Sequence, residues 1–456
     1  MNNKNNNKEA KIETTERIFF DELTEGQREA MTAALAGESL FITGGAGVGK
    51  SYLTSRIVSV LQASGRKVLV TAPTGVAASL IGGATVHRTF DVPLYMSWCA
   101  KPHVSRNSAA YIADTVVIDE ISMCRIDDFS YVIKAIRQAE KKRRRPMQII
   151  VIGDFLQLPP VMKNPKDNSV SLRKILSTYY GIELDEGYSY LADAWSACNF
   201  RVINLTEVVR QKDEAEIEIL NGIRMGDRSM LSRLRPASRP MPFPDDKPAI
   251  KLCGTNRTAE KFNREALNRL SGREFVYHSL VEGIVEEQDK PAPDELRLKE
   301  GARVMILIND SGGRFCNGDM GTVLNLDKIS IDVILDSTGE VIRFFGNCWE
   351  IREYFVEMGR DRKPDLIQKV TGRFTQMPFK LAYAITIHKA QGQTLERAEL
   401  ILGDDPEIFA PGQLYVGLSR VKSLKDLYIS GDPRKVDTLA DGRTLAIYKE
   451  IEDLQQ

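Results

Sequence analysis

Several things are scarce in this 456-residue chain, and each shortage excludes something. There are six cysteines (Cys99, Cys124, Cys198, Cys253, Cys316 and Cys348), with no C-x-x-C spacing and no pairing pattern. That argues against a disulfide framework or a zinc cluster and for free thiols in a reducing compartment. No apolar run is long enough to span a bilayer. The polar start, MNNKNNNKEAKIETTE, lacks the apolar core of a secretory leader. A cytoplasmic protein without a membrane partner is therefore expected, with an asparagine-rich disordered tail over 1–20. Neither sign of charge is in excess, because 62 Lys and Arg balance 62 Asp and Glu. Any nucleic-acid site must then be a local groove. What is present, 43% hydrophobic and 27% charged residues, suits a globular chain of about three domains.

The strongest positive signal is GGAGVGKS, Gly44, Gly45, Ala46, Gly47, Val48, Gly49, Lys50 and Ser51. It follows the apolar stretch SLFIT and precedes a helical pattern running through Tyr52 to Leu61. Strand, glycine loop and helix are the context in which G-x-x-x-x-G-K-[ST] binds nucleotide phosphates. Glycine lets backbone N–H groups curl around the anion, and the helix N-terminus adds partial positive charge. Lys50 is expected to reach the β- and γ-phosphates, and the Ser51 hydroxyl to ligate magnesium. VVIDE places Asp119 and Glu120 at a strand end, suited to holding magnesium through water and to polarising an attacking water. The GTPase base-reading pattern Asn-Lys-x-Asp is absent, which favours ATP. In GDFLQLPP, Asp154 extends the acidic cluster, and Gln157 is a neutral donor suited to sensing a γ-phosphate.

Up to residue 200 the pattern alternates strand and helix. VLVTA (68–72), TVVID (115–119) and QIIVIG (148–153) read as parallel strands buried on both faces of a doubly wound α/β domain. Residues 88–112 form a small excursion with Phe90, Tyr95 and Trp98. These aromatics read either as base-stacking faces, as a duplex-splitting pin, or as a small local core. A second α/β pattern opens at RVINL (201–205) and resumes at 379. Short strands with Gly, Asn and Asp turns interrupt it over 296–378, as in a small β-barrel. The expected domains are 21–200, then 201–295 with 379–456, and the insert 296–378. The basic run KKRRR (141–145) reads as a solvated helix end.

Taken in order, these segments resemble superfamily 1 DNA helicases, most closely the Pif (petite integration frequency) type. The resemblance runs from about Leu23 to Ser430. It implies two RecA-like motor domains with an SH3-like β-barrel inserted in the second. LTEGQ resembles the adenine-reading motif, with Gln27 in that role. TAPTGVAA and GGATVHRTF resemble single-strand-binding segments, which puts Thr71, Pro73, Thr74, Thr85, His87 and Phe90 on the strand. KLAYAITIHKAQGQTL adds Thr386 and His388. For both histidines a purely structural hydrogen-bonding role is the alternative. LTEVVRQ and YVGLSRVKS imply that Arg210 and Arg420 reach the γ-phosphate from the second domain. Two residues depart from the pattern: Ala390, where many Pif-type sequences carry serine and RecD-like and Dda-like relatives more often carry alanine, and Gly417, where alanine is common.

The resemblance implies a magnesium- and ATP-dependent helicase of a minimal bacterial or phage-like form. It would act on single strands and single/double-strand junctions, with 5′-to-3′ polarity, as a monomer. G-quadruplex DNA is a further substrate of the type. The competing readings are a RecD-like or Dda-like helicase, another P-loop enzyme such as a small-molecule kinase or GTPase, and a nucleotide-dependent remodelling switch.

Overall fold

The structure is a computed structural model. It describes residues 22–93, 97–162, 171–209, 213–244, 249–310, 312–358, 364–403, 407–437 and 439–455. The expected tail and Tyr95 lie outside these. The first sheet contains β1 (Leu40–Gly44), β2 (Val68–Ala72), β3 (Ala84–Thr85), β4 (Thr115–Ile118), β5 (Gln148–Ile152) and β6 (Arg201–Leu205). Their order is β3-β2-β4-β5-β1-β6, all parallel. Strands β1, β2, β4 and β5 are buried along their whole length, as continuous apolar runs in a sheet covered on both faces must be. Helices Lys50–Ala63 and Ile126–Arg143 lie among the crossovers. The latter ends in the basic run, where Lys142 and Arg143 donate to backbone carbonyls of Val104 and Pro146.

The second parallel sheet holds β7 (Ile250–Cys253), β18 (Ala384–Thr386), β19 (Ala398–Gly403) and β20 (Leu427–Gly431), in the order β18-β7-β19-β20. Ten strands separate β7 from β18. They are β8 (Phe275–His278), β9 (Leu280–Gly283), β10 (Glu295–Leu298), β11 (Arg303–Ile306), β12 (Met320–Leu326), β13 (Ser330–Leu335), β14 (Val341–Phe345), β15 (Asn347–Met358), β16 (Pro364–Gln376) and β17 (Phe379–Leu381).

Four expectations need correction. RVINL is the edge strand of the first sheet, paired with β1 from Leu40–Arg201 to Gly44–Leu205, so the second unit starts after it. The insert opens near residue 275, because β9 pairs with β16 and β8 with β10. Its described strands form open sheets, β14-β13-β12-β11-β17, β15-β16-β9 and β10-β8, with no closed barrel among them. The C-terminal helix Gly442–Gln455 puts Tyr448 and Ile451 into the core of the first domain. Strand patterning identified the segments but not their partners, which are set by long-range pairing.

Candidate functional site

The phosphate loop leaves β1 at Gly44 and enters the helix at Lys50. Gly47 and Gly49 hold φ of +84° and +81°, a region that disfavours side chains. A Cβ on Gly44 would stand 2.4 Å from the Leu205 carbonyl oxygen, and one on Gly49 2.7 Å from Gln27 Nε2. The sequence pattern thus has a steric cause. Lys50 Nζ donates to the carbonyls of Gly44 (2.7 Å) and Gly45 (2.9 Å). Burial lowers its pKa, while the nearby carboxylates of Asp154, Glu120 and Asp119 oppose that shift. Val48 is buried beneath the loop; Ser51 and Tyr52 stand exposed on the first helical turn. Gln27 donates to the Val48 carbonyl at 3.0 Å and closes a capping box with Thr24, so the adenine-reading candidate does touch the loop.

Asp119 and Glu120 follow β4. The Asp119 carboxylate accepts the Glu120 N–H, and Glu120 adopts a left-handed φ of +49°. Burial, reinforced by Glu120, pushes Asp119 up to about 7. A divalent cation would supply the missing compensating charge. Among the described residues no cluster of three His, Cys, Asp or Glu side chains holds a metal by itself. The donor set, the Asp119 carboxylate and the Ser51 hydroxyl, fits magnesium, which is usually bound by one or two carboxylates together with substrate phosphates and water.

Asp154 does more than extend the acidic cluster. Arg224, from helix Glu214–Arg224, meets it with two hydrogen bonds, Nε to Oδ2 at 3.0 Å and Nη2 to Oδ1 at 2.9 Å. Both side chains are almost fully buried. Burial alone would raise the Asp154 pKa; the Arg224 guanidinium outweighs it and keeps the carboxylate ionised. Gln157 donates to the same carboxylate at 3.3 Å. Arg224 also lies over the Tyr448 ring, 5.0 Å from its centroid. The Tyr448 hydroxyl shares a hydrogen bond with Thr43 Oγ1 (2.5 Å) and accepts the Phe155 N–H.

Further contacts cross from the second domain. Tyr415 accepts the Ala46 N–H at 2.6 Å, and Gln391 donates to Glu120 at 3.1 Å. Sequence reading missed Arg224, Tyr415, Tyr448 and Gln391. One signal was available: Arg224 continues the buried stripe of Ile219, Leu220 and Ile223, where an arginine needs a buried partner. Of the two expected arginines, Arg210 lies outside the described residues. Arg420 is buried, and its guanidinium donates to the carbonyls of Val416, Ala390 and Gln393 and to Ser419 Oγ. In this arrangement it helps satisfy the carbonyls around short helical turns, and Arg224 is an arginine that lies beside the loop among the described residues.

The strand-binding candidates divide. Thr71 is fully buried and donates to the Val117 carbonyl, while Phe90 sits in the first core. Neither offers a free face, so both are corrected to structural roles; Trp98 packs partly buried on the same core. Pro73 and Thr74 are half-buried, with Thr74 accepting the Ala77 N–H. Thr85 and Thr386 each end an edge strand and cap a short helix, through the N–H groups of Arg88 and Lys389. His87 and His388 follow each cap by two residues and are half-buried. Burial lowers both pKa values, His87 to about 4. His87 lies 3.7 Å from Asp128, itself pushed up to about 7 by burial and by Asp127.

The insert docks on this face of the first domain. Arg88 pairs with Asp289 (2.5 Å) and Glu353 (2.6 Å), and the Tyr354 hydroxyl accepts the Val70 N–H. A cleft of 290 Å³ lies beside these contacts, lined in part by His87, Asp91, Ile284 and Glu286.

Comparison with known proteins agrees with this construction. Residues 22–222 match the family model described as PIF1-like helicase. The ATP-dependent DNA helicase Pif1 of Bdellovibrio bacteriovorus is 30% identical over 448 residues, covering 95% of this chain and 93% of that protein. Human ATP-dependent DNA helicase PIF1 is also 30% identical, and the match spans 66% of its length. Among solved structures, a Pif1 helicase double mutant from Bacteroides superposes with a TM-score of 0.79 at 29% identity, covering 95% of this chain and 97% of that one. The Bacteroides Pif1 complex with ADP-AlF4 gives 0.78 and the complex with ssDNA 0.64, each at 28% identity. With a phosphate loop, a carboxylate pair and second-domain groups converging on one cleft, and with this likeness along nearly its whole length, the chain belongs to the Pif1 family of ATP-dependent DNA helicases.

Proposed function

We propose that this chain hydrolyses ATP in the cleft between two RecA-like domains and uses the cycle to step along single-stranded DNA in the 5′-to-3′ direction. The observation that carries the reading is the cross-domain set around the phosphate loop: Arg224 on Asp154, Tyr415 on Ala46 and Gln391 on Glu120. A ligand that changes these contacts changes the relation of the domains, which is what a stepping motor requires.

Lys50 binds the β- and γ-phosphates. Ser51 and Asp119 hold magnesium, whose chemistry here is to neutralise developing phosphate charge. Glu120 polarises the attacking water, and Gln157 contacts the γ-phosphate. Gln27 reads the base. Arg210 and Arg420 serve the transferring phosphoryl group once the cleft closes. The strand runs over Pro73, Thr74 and the paired Thr-x-His units at 85–87 and 386–388. The motor works as a cytoplasmic monomer on junctions and on G-quadruplex DNA. The solved neighbours support the substrate class, since they include Bacteroides Pif1 bound to ssDNA and two coordinating Pif1 helicases at forked dsDNA.

Steady-state ATPase with and without single-stranded DNA, at low salt because phosphate contacts weaken as salt rises, tests the reading. Strong stimulation is expected, and Glu120→Gln should bind ATP while losing most turnover in both conditions. Turnover indifferent to the strand would overturn the motor; normal turnover in Glu120→Gln would remove that residue from catalysis.

A further inference from the structure

The loop that must receive the phosphates already has partners. A phosphate bound here draws on the backbone N–H groups of the loop and on the Lys50 ammonium. The Ala46 N–H donates to the Tyr415 hydroxyl at 2.6 Å, and Lys50 donates to two carbonyls of the loop. Tyr415 comes from helix Gln413–Leu418 of the second domain and is buried. The hydroxyl is lodged against the loop: a Cβ on Gly45 would lie only 3.2 Å from it. The same helix is anchored at its N-terminal end by Gly412, at φ +71°, where a Cβ would meet the Gln157 carbonyl oxygen at 2.2 Å. Two residues beyond its last turn stands Arg420.

We propose that Tyr415 is a nucleotide-site residue supplied by the second domain. Its hydroxyl oxygen takes the Ala46 N–H in the position of a phosphate oxygen. Nucleotide binding breaks this bond, frees the helix from the loop and re-aims the segment that carries Arg420. Tyr415 is thus a positioning residue, acting on the reaction through the loop and through Arg420. Competition for one N–H gives the Tyr415 hydroxyl a role that phenylalanine could not fill: the residue belongs to the buried second-domain cluster, and its hydroxyl is the group that meets the loop.

The inference rests on the phosphate-loop reading, and the experiment separates the two. Affinities for ADP and for the non-hydrolysable AMP-PNP are measured by calorimetry, with magnesium and without DNA, for the wild-type chain and Tyr415→Phe. Removing the hydroxyl leaves the Ala46 N–H unpaired until a phosphate arrives, so the variant should bind nucleotide about three- to tenfold more tightly, the equivalent of one hydrogen bond. A tyrosine that merely supports the loop predicts the opposite sign. Unchanged or weaker binding by the variant would overturn the proposal. Absence of binding by the wild-type chain would instead sink the phosphate-loop reading. In the unmodified protein, hydrogen–deuterium exchange of the peptide over 410–420 provides an independent readout that needs no variant. It should rise on saturation with ADP, and a fall or no change would also overturn the proposal.

Discussion

The segments Thr85-Val86-His87-Arg88 and Thr386-Ile387-His388-Lys389 are built alike. Each lies at the C-terminal end of an edge strand in a parallel sheet, one per motor domain. Each threonine caps a short helix by accepting the backbone N–H three residues on, at 3.3 Å in both. Each β-branched residue is fully buried, and each histidine is half-buried. The cations part company. Arg88 is buried between two carboxylates of the insert, whereas Lys389 is exposed. Four residues of sequence therefore fix the turn, and the neighbours fix what its cation does. In the first domain the cation holds the insert; in the second it faces solvent.

The largest test of this contrast is Arg88→Ala. It leaves Asp289, 5% exposed at its side chain, and Glu353 without their cation. Breaking a buried pair costs about 3–5 kcal/mol, so urea unfolding should shift strongly toward lower denaturant. Lys389→Ala, at an exposed position, should stay within about 0.5 kcal/mol. Equal effects would erase the contrast.

The next effect concerns pH. His87 titrates near 4 in the folded chain because burial disfavours its charged form. Above the unfolded value near 6.5 both states are neutral and the group contributes nothing to pH dependence. Between 6.5 and 4 the unfolded chain binds a proton that the folded chain refuses, so stability falls as pH falls, by about 3 kcal/mol at the acid end. His87→Gln should flatten the stability profile over that interval. A profile that keeps its slope would assign the acid sensitivity to other groups.

Smaller still are the caps. Thr85→Ala and Thr386→Ala should each cost about 1 kcal/mol, and near-equality of the two is the point, since the local geometry is the same. A twofold disparity would show that tertiary contacts enter even the cap.

The finest test is electrostatic. Lys389→Ala should lower the slope of log affinity against log salt on oligo-dT by about 0.7, the loss of one single-strand phosphate contact. Arg88→Ala should leave that slope alone. A reduced slope for Arg88→Ala would mean that the strand displaces the insert from this arginine.

Much of the site was legible because its chemistry is local. The phosphate loop, the Asp119–Glu120 pair and the Gln157 segment each sit at the end of a buried apolar strand, and strand followed by small or acidic residues is a pattern of neighbours in sequence. The partners of those residues were not legible. Arg224 is 70 residues from Asp154, and Tyr415 is 369 residues from Ala46. Phe90 illustrates a choice that local pattern left open: an aromatic in the excursion could stack on a base or build a local core, and packing placed it in the core.

By itself the sequence determined the elements, their order and the loop chemistry, because periodicity, capping and glycine geometry act over a few residues. Only the tertiary structure decided that β6 and Tyr448 complete the first domain, that the insert closes on Arg88, and that Arg224 and Tyr415 meet the phosphate loop. Those outcomes follow from burial. A charged or polar group withdrawn from water must find a partner wherever the packed chain brings one, and that choice is made across hundreds of residues.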